Sequence, residues 1–315
     1  MNKVRLLQFA LARGNGDIAI KKALRFLWQN QMTWDDFLSD DFFLLSAGIT
    51  KVSSNEIMQL EHQAMDLYQQ LQYNGIDILI EDDDNYPQQL KHSLKETCPP
   101  ILFVRGNACL LNSLSVGFCG SRKVSEKGVL LAERCVLQLA QNNITVTSGY
   151  AAGTDIATHR TALENNGNTI FVLAEGILKT RIKHEIKDLI NDNNHVFVSQ
   201  FMPNVTWNAG NAMKRNGVII GLSKAMILVE SSMSGGTFAA GEEALRVRCP
   251  LFVIDYKDPQ VSAEANPYFI SKGGIPIRGK NLIPNISKVI ETVKNESSSD
   301  DTSPLSCTEQ LRLDI

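Results

Sequence analysis

The chain has 315 residues, 43% hydrophobic and 21% charged, the proportions of a folded globular protein with material for a sizeable core. Its formal charge of −3 excludes a global electrostatic pull toward polyanions, so any nucleic-acid binding has to come from a local basic patch. No window reaches the roughly 18 apolar residues that a membrane span needs, and Met1-Asn2-Lys3-Val4-Arg5 opens no apolar signal region, so a cytoplasmic protein with no membrane role is expected.

Residues 1–75 read as a small all-helical, SAM-like module. Leu6, Leu7, Phe9, Ala10 and Leu11, then Ala19, Ile20, Ala23, Leu24, Phe26 and Leu27, recur at helical spacing, with a turn at Gly14-Asn15-Gly16 between them. Thr33-Trp34-Asp35-Asp36 has the pattern of an N-cap with acidic first-turn residues, and Ser54-Asn55-Glu56 is expected to open a longer helix through Gln72. Residues 76–113 read as a connector that packs on the core, with strands at Ile76–Ile80 and Ile101–Val104 and a solvated acidic turn at Glu81-Asp82-Asp83-Asp84.

From Leu114 strands and helices alternate. Strands are expected at Leu114–Cys119, Ile144–Thr147, Thr169–Leu173, Val196–Ser199, Ala225–Glu230 and Leu251–Ile254. Several are continuous apolar runs, as when helices cover both faces of a parallel sheet, so residues 114–294 are expected to form an α/β, doubly wound Rossmann-like domain. Six cysteines lie scattered without a C-x-x-C pair, which indicates neither a zinc site nor a disulfide framework; reduced, mostly buried thiols are expected.

In such sheets ligands bind at the carboxyl ends of the strands. The loop Gly120-Ser121-Arg122-Lys123 passes from a strand into a helix beginning near Ser125, which suits a phosphate through unpaired backbone N–H groups and the positive end of a helix dipole, with Arg122 adding a cation. A second loop runs from Ser148 and Gly149 through Gly153 to Asp155 and His159. These last two lie one helical turn apart and are expected to pair and order the loop. A third carries Lys214, Arg215 and Asn216, and a fourth carries Ser234, Gly235, Gly236 and Thr237 at a helix start. A Ser148-His159-Asp155 catalytic triad is not expected, because Ser148 has no nucleophile-elbow context.

These four motifs, in this order, resemble the DNA-processing protein A (DprA, or Smf) family, whose pattern is a G-S-R turn, S-G-x-A-x-G-x-D with a His four residues on, an R-N pair before a strand, and S-G-[ST]-x at a helix start. The resemblance covers roughly residues 75–290 and includes Tyr86-Pro87, Pro99-Pro100 and Asn281-Leu282-Ile283. It implies a non-enzymatic, dimeric, single-stranded DNA-binding protein without a cofactor that protects DNA and helps load a RecA-type recombinase in transformation or recombination. The Gly120-Ser121-Arg122 turn would hold a backbone phosphate, with Lys214 and Arg215 adding positive charge.

The chain also departs from the pattern. Where the family usually has F-P-x-R-N-R, this sequence has Ala212-Met213-Lys214-Arg215-Asn216-Gly217, without the aromatic that stacks on a base and without one arginine. The family's winged-helix-like C-terminal domain is not expected after Val293. A specialised relative is therefore an alternative, such as the DprA-like partners or antitoxins of phage-defence operons, with a toxin as partner.

A rival reading is a nucleotide sensor or nucleoside-monophosphate hydrolase of the related lysine-decarboxylase-like fold, with its G-G-x-G-T-x-x-E loop. Here the catalytic Glu position falls on Ala240, with Glu242 and Glu243 too late, so hydrolysis is disfavoured. Lys179, Arg181, Lys183 and Lys187 read as a solvated face, and Arg246 and Arg248 as complements to a helix C-terminus. Residues 295–315 read as a disordered tail ending in Gln310, Leu311, Arg312, Leu313, Asp314 and Ile315, which resembles a sliding-clamp binding peptide anchored by Gln310, Leu311, Leu313 and Ile315.

Overall fold

The computed structural model describes residues 2–295. The chain divides into two compact units, Met1–Asp83 with Pro99–Phe103, and Asp84–Cys98 with Val104 onward.

The first unit holds α1 (Lys3–Leu11), α2 (Asp17–Asn30), α3 (Trp34–Leu38), α4 (Asp41–Ser46), α5 (Ser54–Met58), α6 (Glu61–Tyr73) and β1 (Ile76–Ile80). Leu6, Leu7, Phe9 and Phe37 are fully buried, and the Phe9 ring meets Trp34 at 5.5 Å. Thr33 caps α3 by accepting from the Asp36 amide. The helix expected from Ser54 through Gln72 is interrupted. Ser53 closes a capping box with Glu56, and the chain breaks after Met58 before α6 begins. Two donors meet at the break: the Ile57 carbonyl accepts from Leu60 N at 2.9 Å and from the buried Gln8 amide of α1 at 2.9 Å. Residues 76–83, expected to start a connector, cluster with these helices; Lys21 pairs with Glu81 at 3.2 Å, and Asp83 accepts from Ile80 N.

β2 (Ile101–Gly106) carries residues of both units. The second unit contains β3 (Ser115–Cys119), β4 (Thr145–Ser148), β5 (Thr169–Val172), β6 (His195–Ser199), β7 (Ala225–Leu228), β8 (Leu251–Ile254) and β9 (Ile275–Ile277). They lie in the order β6-β5-β4-β3-β7-β8-β9, every neighbouring pair parallel. The six strands read from the sequence appear within two residues of their expected ends. β9 was not expected, being three residues long with Pro276 at its centre.

Helices α7 (Gln88–Leu94), α8 (Glu126–Ala140), α9 (Thr154–Glu164), α10 (His184–Lys187), α11 (Ala209–Leu222), α12 (Gly236–Arg246), α13 (Asn266–Ser271) and α14 (Ser287–Asn295) surround the sheet. On one face Leu131, Ala132, Cys135, Val136 and Leu139 of α8 and Val289 and Val293 of α14 pack on Val116, Phe118, Val146, Ile227 and Phe252. On the other, Gly241 of α12 lies against Phe269 and Leu228. A two-stranded hairpin, β10 (Gly279–Lys280) and β11 (Ile283–Pro284), turns through Asn281 and Leu282, both at positive φ. Cys98, Cys119 and Cys135 are buried thiols; burial pushes the Cys135 thiol up to about 12.

Candidate nucleic-acid interface

The strand order reverses direction at β3, which has β4 on one side and β7 on the other. Loops leaving the carboxyl ends of these three strands therefore meet over the sheet edge where doubly wound folds place their ligands. The first, second and fourth sequence motifs are those loops, and the third lies on α11.

The first two loops interlock. Thr154 at the start of α9 directs both its amide, at 3.3 Å, and its hydroxyl, at 3.2 Å, to the Ser121 carbonyl. Gly153 makes the approach possible: its φ is +79°, and a Cβ there would fall 2.6 Å from the carbonyl oxygens of both Ser121 and Arg122.

Asp155 and His159 both hold the second loop, but separately and not as the expected i,i+4 pair. The Asp155 carboxylate accepts from the Ser148 hydroxyl at 2.9 Å and from the Ala151 amide at 3.2 Å. His159 Nε2 lies 2.7 Å from the Gly149 carbonyl, so that nitrogen carries the proton, because a carbonyl only accepts. Its Nδ1 lies against the Thr169 hydroxyl, which also donates to the Val146 carbonyl at 2.9 Å. Complete burial, with the nearby Lys183 and Arg215 adding to it, holds the imidazole neutral and its pKa down at about 3. Both side chains face inward, so packing in the interior directs them apart.

The N-terminus of α8 is where the structure corrects the expected phosphate cradle. Its Ser125 and Gly128 amides are already engaged. The buried Glu230, just past β7, accepts from Ser125 N at 2.9 Å and from Ser125 Oγ, whose oxygen in turn accepts from Gly128 N at 3.0 Å; Lys123 N donates to Ser121 Oγ at 3.0 Å. A protein carboxylate thus occupies the dipole end that the sequence suggested for a ligand anion. At α12 no side chain caps the N-terminus: Gly235 is the cap residue at φ +90°, and residues Ser232–Gly236 are exposed. Asn216 donates its side-chain amide to the Gly236 carbonyl, which places it as a tie between α11 and this loop.

The cations divide by burial. Arg122, Lys123 and Lys214 are exposed, whereas Arg215 is 7% exposed, its guanidinium against Gly149. Burial lowers the Arg215 pKa, Asp155 opposes that shift and Arg122 adds to it. Lys183, expected on a solvated face, instead turns inward: its ammonium donates to the Tyr150 carbonyl at 2.9 Å and lies 4.6 Å from the Tyr150 ring centre, and its amide donates to the Tyr150 hydroxyl. Burial lowers its pKa, with Arg122 again contributing. Arg122, Lys183 and Arg215 therefore share one positive field around Asp155.

Trp207, Tyr150 and Glu230 carry weight here that the sequence reading did not assign. Trp207 is 49% exposed, and the Arg122 guanidinium sits 5.5 Å from its ring centre. A lone tryptophan in the polar run Asn204-Val205-Thr206-Trp207-Asn208 was the available signal. Glu242 and Glu243, weighed for hydrolysis, are turned to Tyr268 and Arg246. Among the described residues no His, Cys, Asp and Glu cluster could hold a metal, and no helix is long and apolar enough to cross a membrane. The peptide Gln310, Leu311, Leu313 and Ile315 lies outside the described residues.

A parallel, doubly wound sheet with an exposed cationic rim over a tightly ordered glycine-loop floor defines an α/β protein of the Rossmann-like class. The profile of the DNA recombination-mediator protein A family matches residues 77–285, and the chain belongs to that family. It is 32% identical over 174 residues to the DNA processing protein DprA of Streptococcus pneumoniae, covering 55% of this chain and 60% of that one, and 26% identical over 268 residues to Protein Smf of Escherichia coli, covering 79% and 71%. The chain thus spans somewhat under two thirds of the pneumococcal relative. The crystal structure of the pneumococcal DNA processing protein A shares the fold with a TM-score of 0.71 at 24% identity, over 89% of this chain and 95% of that chain. A DNA processing protein A of Helicobacter pylori, described by its single-stranded DNA binding mode, matches with a TM-score of 0.59 at 22% identity over 70% of this chain and 96% of that chain.

Proposed function

We propose that this chain is a non-enzymatic DNA-processing protein that binds single-stranded DNA along the rim formed by the loops after β3, β4 and β7 and delivers it to a RecA-type recombinase. The observation that carries the reading is the division of the cations: Arg122, Lys123 and Lys214 face outward, while Arg215 and Lys183 are drawn in around Asp155 and keep the floor positive. Side chains of this kind grip a phosphate backbone without reading sequence. The described binding of single-stranded DNA by the Helicobacter relative supports the same ligand.

Glu230 weighs against a mononucleotide as the ligand, because the α8 N-terminus that would take its phosphate is filled by a carboxylate. Phosphate contact is assigned to Arg122, Lys123, Lys214 and the uncapped start of α12 at Gly236 and Thr237. A RecA-type recombinase and a homodimeric state are proposed on the family resemblance, with a sliding clamp and a toxin as further proposed partners.

The test is fluorescence anisotropy of labelled single- and double-stranded oligonucleotides over a salt series, with an Arg122→Ala, Lys214→Ala double variant and competing mononucleotides. Salt-sensitive single-strand binding, lost in the variant and indifferent to mononucleotide, is expected. A folded wild-type protein that binds no oligonucleotide would sink the reading.

A further inference from the structure

The floor of the cleft accounts for phosphate, but not for the bases. At the expected position of the family's stacking aromatic this chain has Ala212, so the sequence leaves the bases without a platform. The structure supplies one from another loop. Trp207 precedes α11, half its surface open, with Arg122 from the loop after β3 against its ring. Asn208 fixes the neighbouring backbone by capping α11 through the Asn211 amide at 2.8 Å. A large aromatic left half exposed on a polar loop loses the stabilisation of burial, and its pairing with an outward-facing arginine adds a second planar group at the same point.

We infer that Trp207 is a nucleobase platform: one base of single-stranded DNA stacks on its indole while Arg122 holds the adjoining phosphate. This rests on the single-stranded DNA reading above. The pairing couples two kinds of recognition in one contact, since the guanidinium that steadies the ring also faces the backbone. It further gives the cleft a reason to prefer single strands, because a base inside a duplex already has both faces covered. Met213 and Met233, each close to half exposed, add polarizable surface on the neighbouring α11 and the loop after β7; Met213 Sδ would lie 3.9 Å from a Cβ at Gly236. Stacking on this surface is sequence-tolerant, in keeping with backbone-dominated binding.

The experiment compares two oligonucleotides of equal length, one of thymidines and one of abasic deoxyribose phosphates, against wild type, Trp207→Ala and Trp207→Phe. Trp207→Ala is expected to weaken binding of the thymidine strand by about five- to a hundred-fold, the range of one lost base stack, and to leave the abasic strand unchanged. Trp207→Phe keeps most of the affinity. The indole signal, taken as wild type minus Trp207→Phe, is expected to be quenched by the thymidine strand and not by the abasic one, a readout that survives if the alanine variant folds poorly. Wild type that binds both strands alike, with no quenching, overturns the platform while leaving DNA binding intact. Wild type that binds neither strand removes both.

Discussion

The Glu230 carboxylate and Ser125 together close the N-terminus of α8, with Glu230 Oε2 2.9 Å from the Ser125 amide and Oε1 on the Ser125 hydroxyl. Removing the carboxylate leaves the part-buried Ser125 amide and hydroxyl without their acceptor. Glu230→Ala is expected to cost about 2–3 kcal/mol, in line with hydrogen bonds to a charged group, and Glu230→Gln less, because it keeps an acceptor at the same reach. Thermal or denaturant unfolding of the two variants checks this; an unchanged midpoint for Glu230→Ala would show that the cap is dispensable.

His159 gives the protein a defined acid sensitivity. Its folded pKa of about 3 lies below the ordinary value of 6.5. The unfolded chain therefore takes up the proton first, so this contribution to stability is complete above about pH 6.5 and is lost progressively as the pH falls toward 3. One such group gives a slope of about 1.4 kcal/mol per pH unit inside that window. Denaturant unfolding at several pH values should show wild type losing more stability on acidification than His159→Gln, which starts less stable at neutral pH. Identical slopes would assign the acid sensitivity to other groups.

Arg122 and Arg215 read alike in the sequence and are expected to behave differently when cut. Arg122→Ala should leave the unfolding midpoint close to wild type and weaken DNA binding, since its side chain is exposed. Arg215→Ala should lower stability and binding together, because it empties a buried position beside Gly149 and Asp155. Gly149→Ala presses a methyl group into the Arg215 guanidinium and is expected to cost about 1–3 kcal/mol, as overpacking does. Calorimetry run beside the anisotropy separates the two classes. An Arg215→Ala protein with wild-type stability would contradict the buried placement.

Salt dependence counts the phosphate contacts. For single strands each contact contributes about −0.7 to the slope of log K against log salt. Arg122→Ala and Lys214→Ala are each expected to reduce the slope by about that amount, and Arg160→Ala, engaged with Glu133 on α8, should not change it. A slope that stays constant through the Arg122 and Lys214 substitutions would place the DNA elsewhere.

Much of this arrangement could be read from local pattern. Continuous apolar runs such as Val116 to Cys119 and Ala225 to Val229 announce strands buried on both faces, and glycines at 120, 149, 153 and 235 mark where the chain leaves them. The break between α5 and α6 was not legible, and there Gln8 reaches the Ile57 carbonyl from α1. Nor was the inward turn of Lys183, which sits in a basic run whose spacing is that of a solvated surface but whose ammonium finds the Tyr150 carbonyl.

The sequence by itself determined where the core strands fall along the chain, the loops at their carboxyl ends and the family to which they belong, because strand burial and glycine turns are set by residues adjacent in the chain. Only the tertiary structure decided which of those loops is open to a ligand. Glu230 fills the α8 terminus from 105 positions away from Ser125, Gly149 receives the buried Arg215 guanidinium, and Trp207 meets Arg122 across two loops. Burial and hydrogen-bond occupancy depend on which distant segments pack together, and the same arginine, lysine or helix N-terminus becomes a contact or a structural part according to what the fold lays against it.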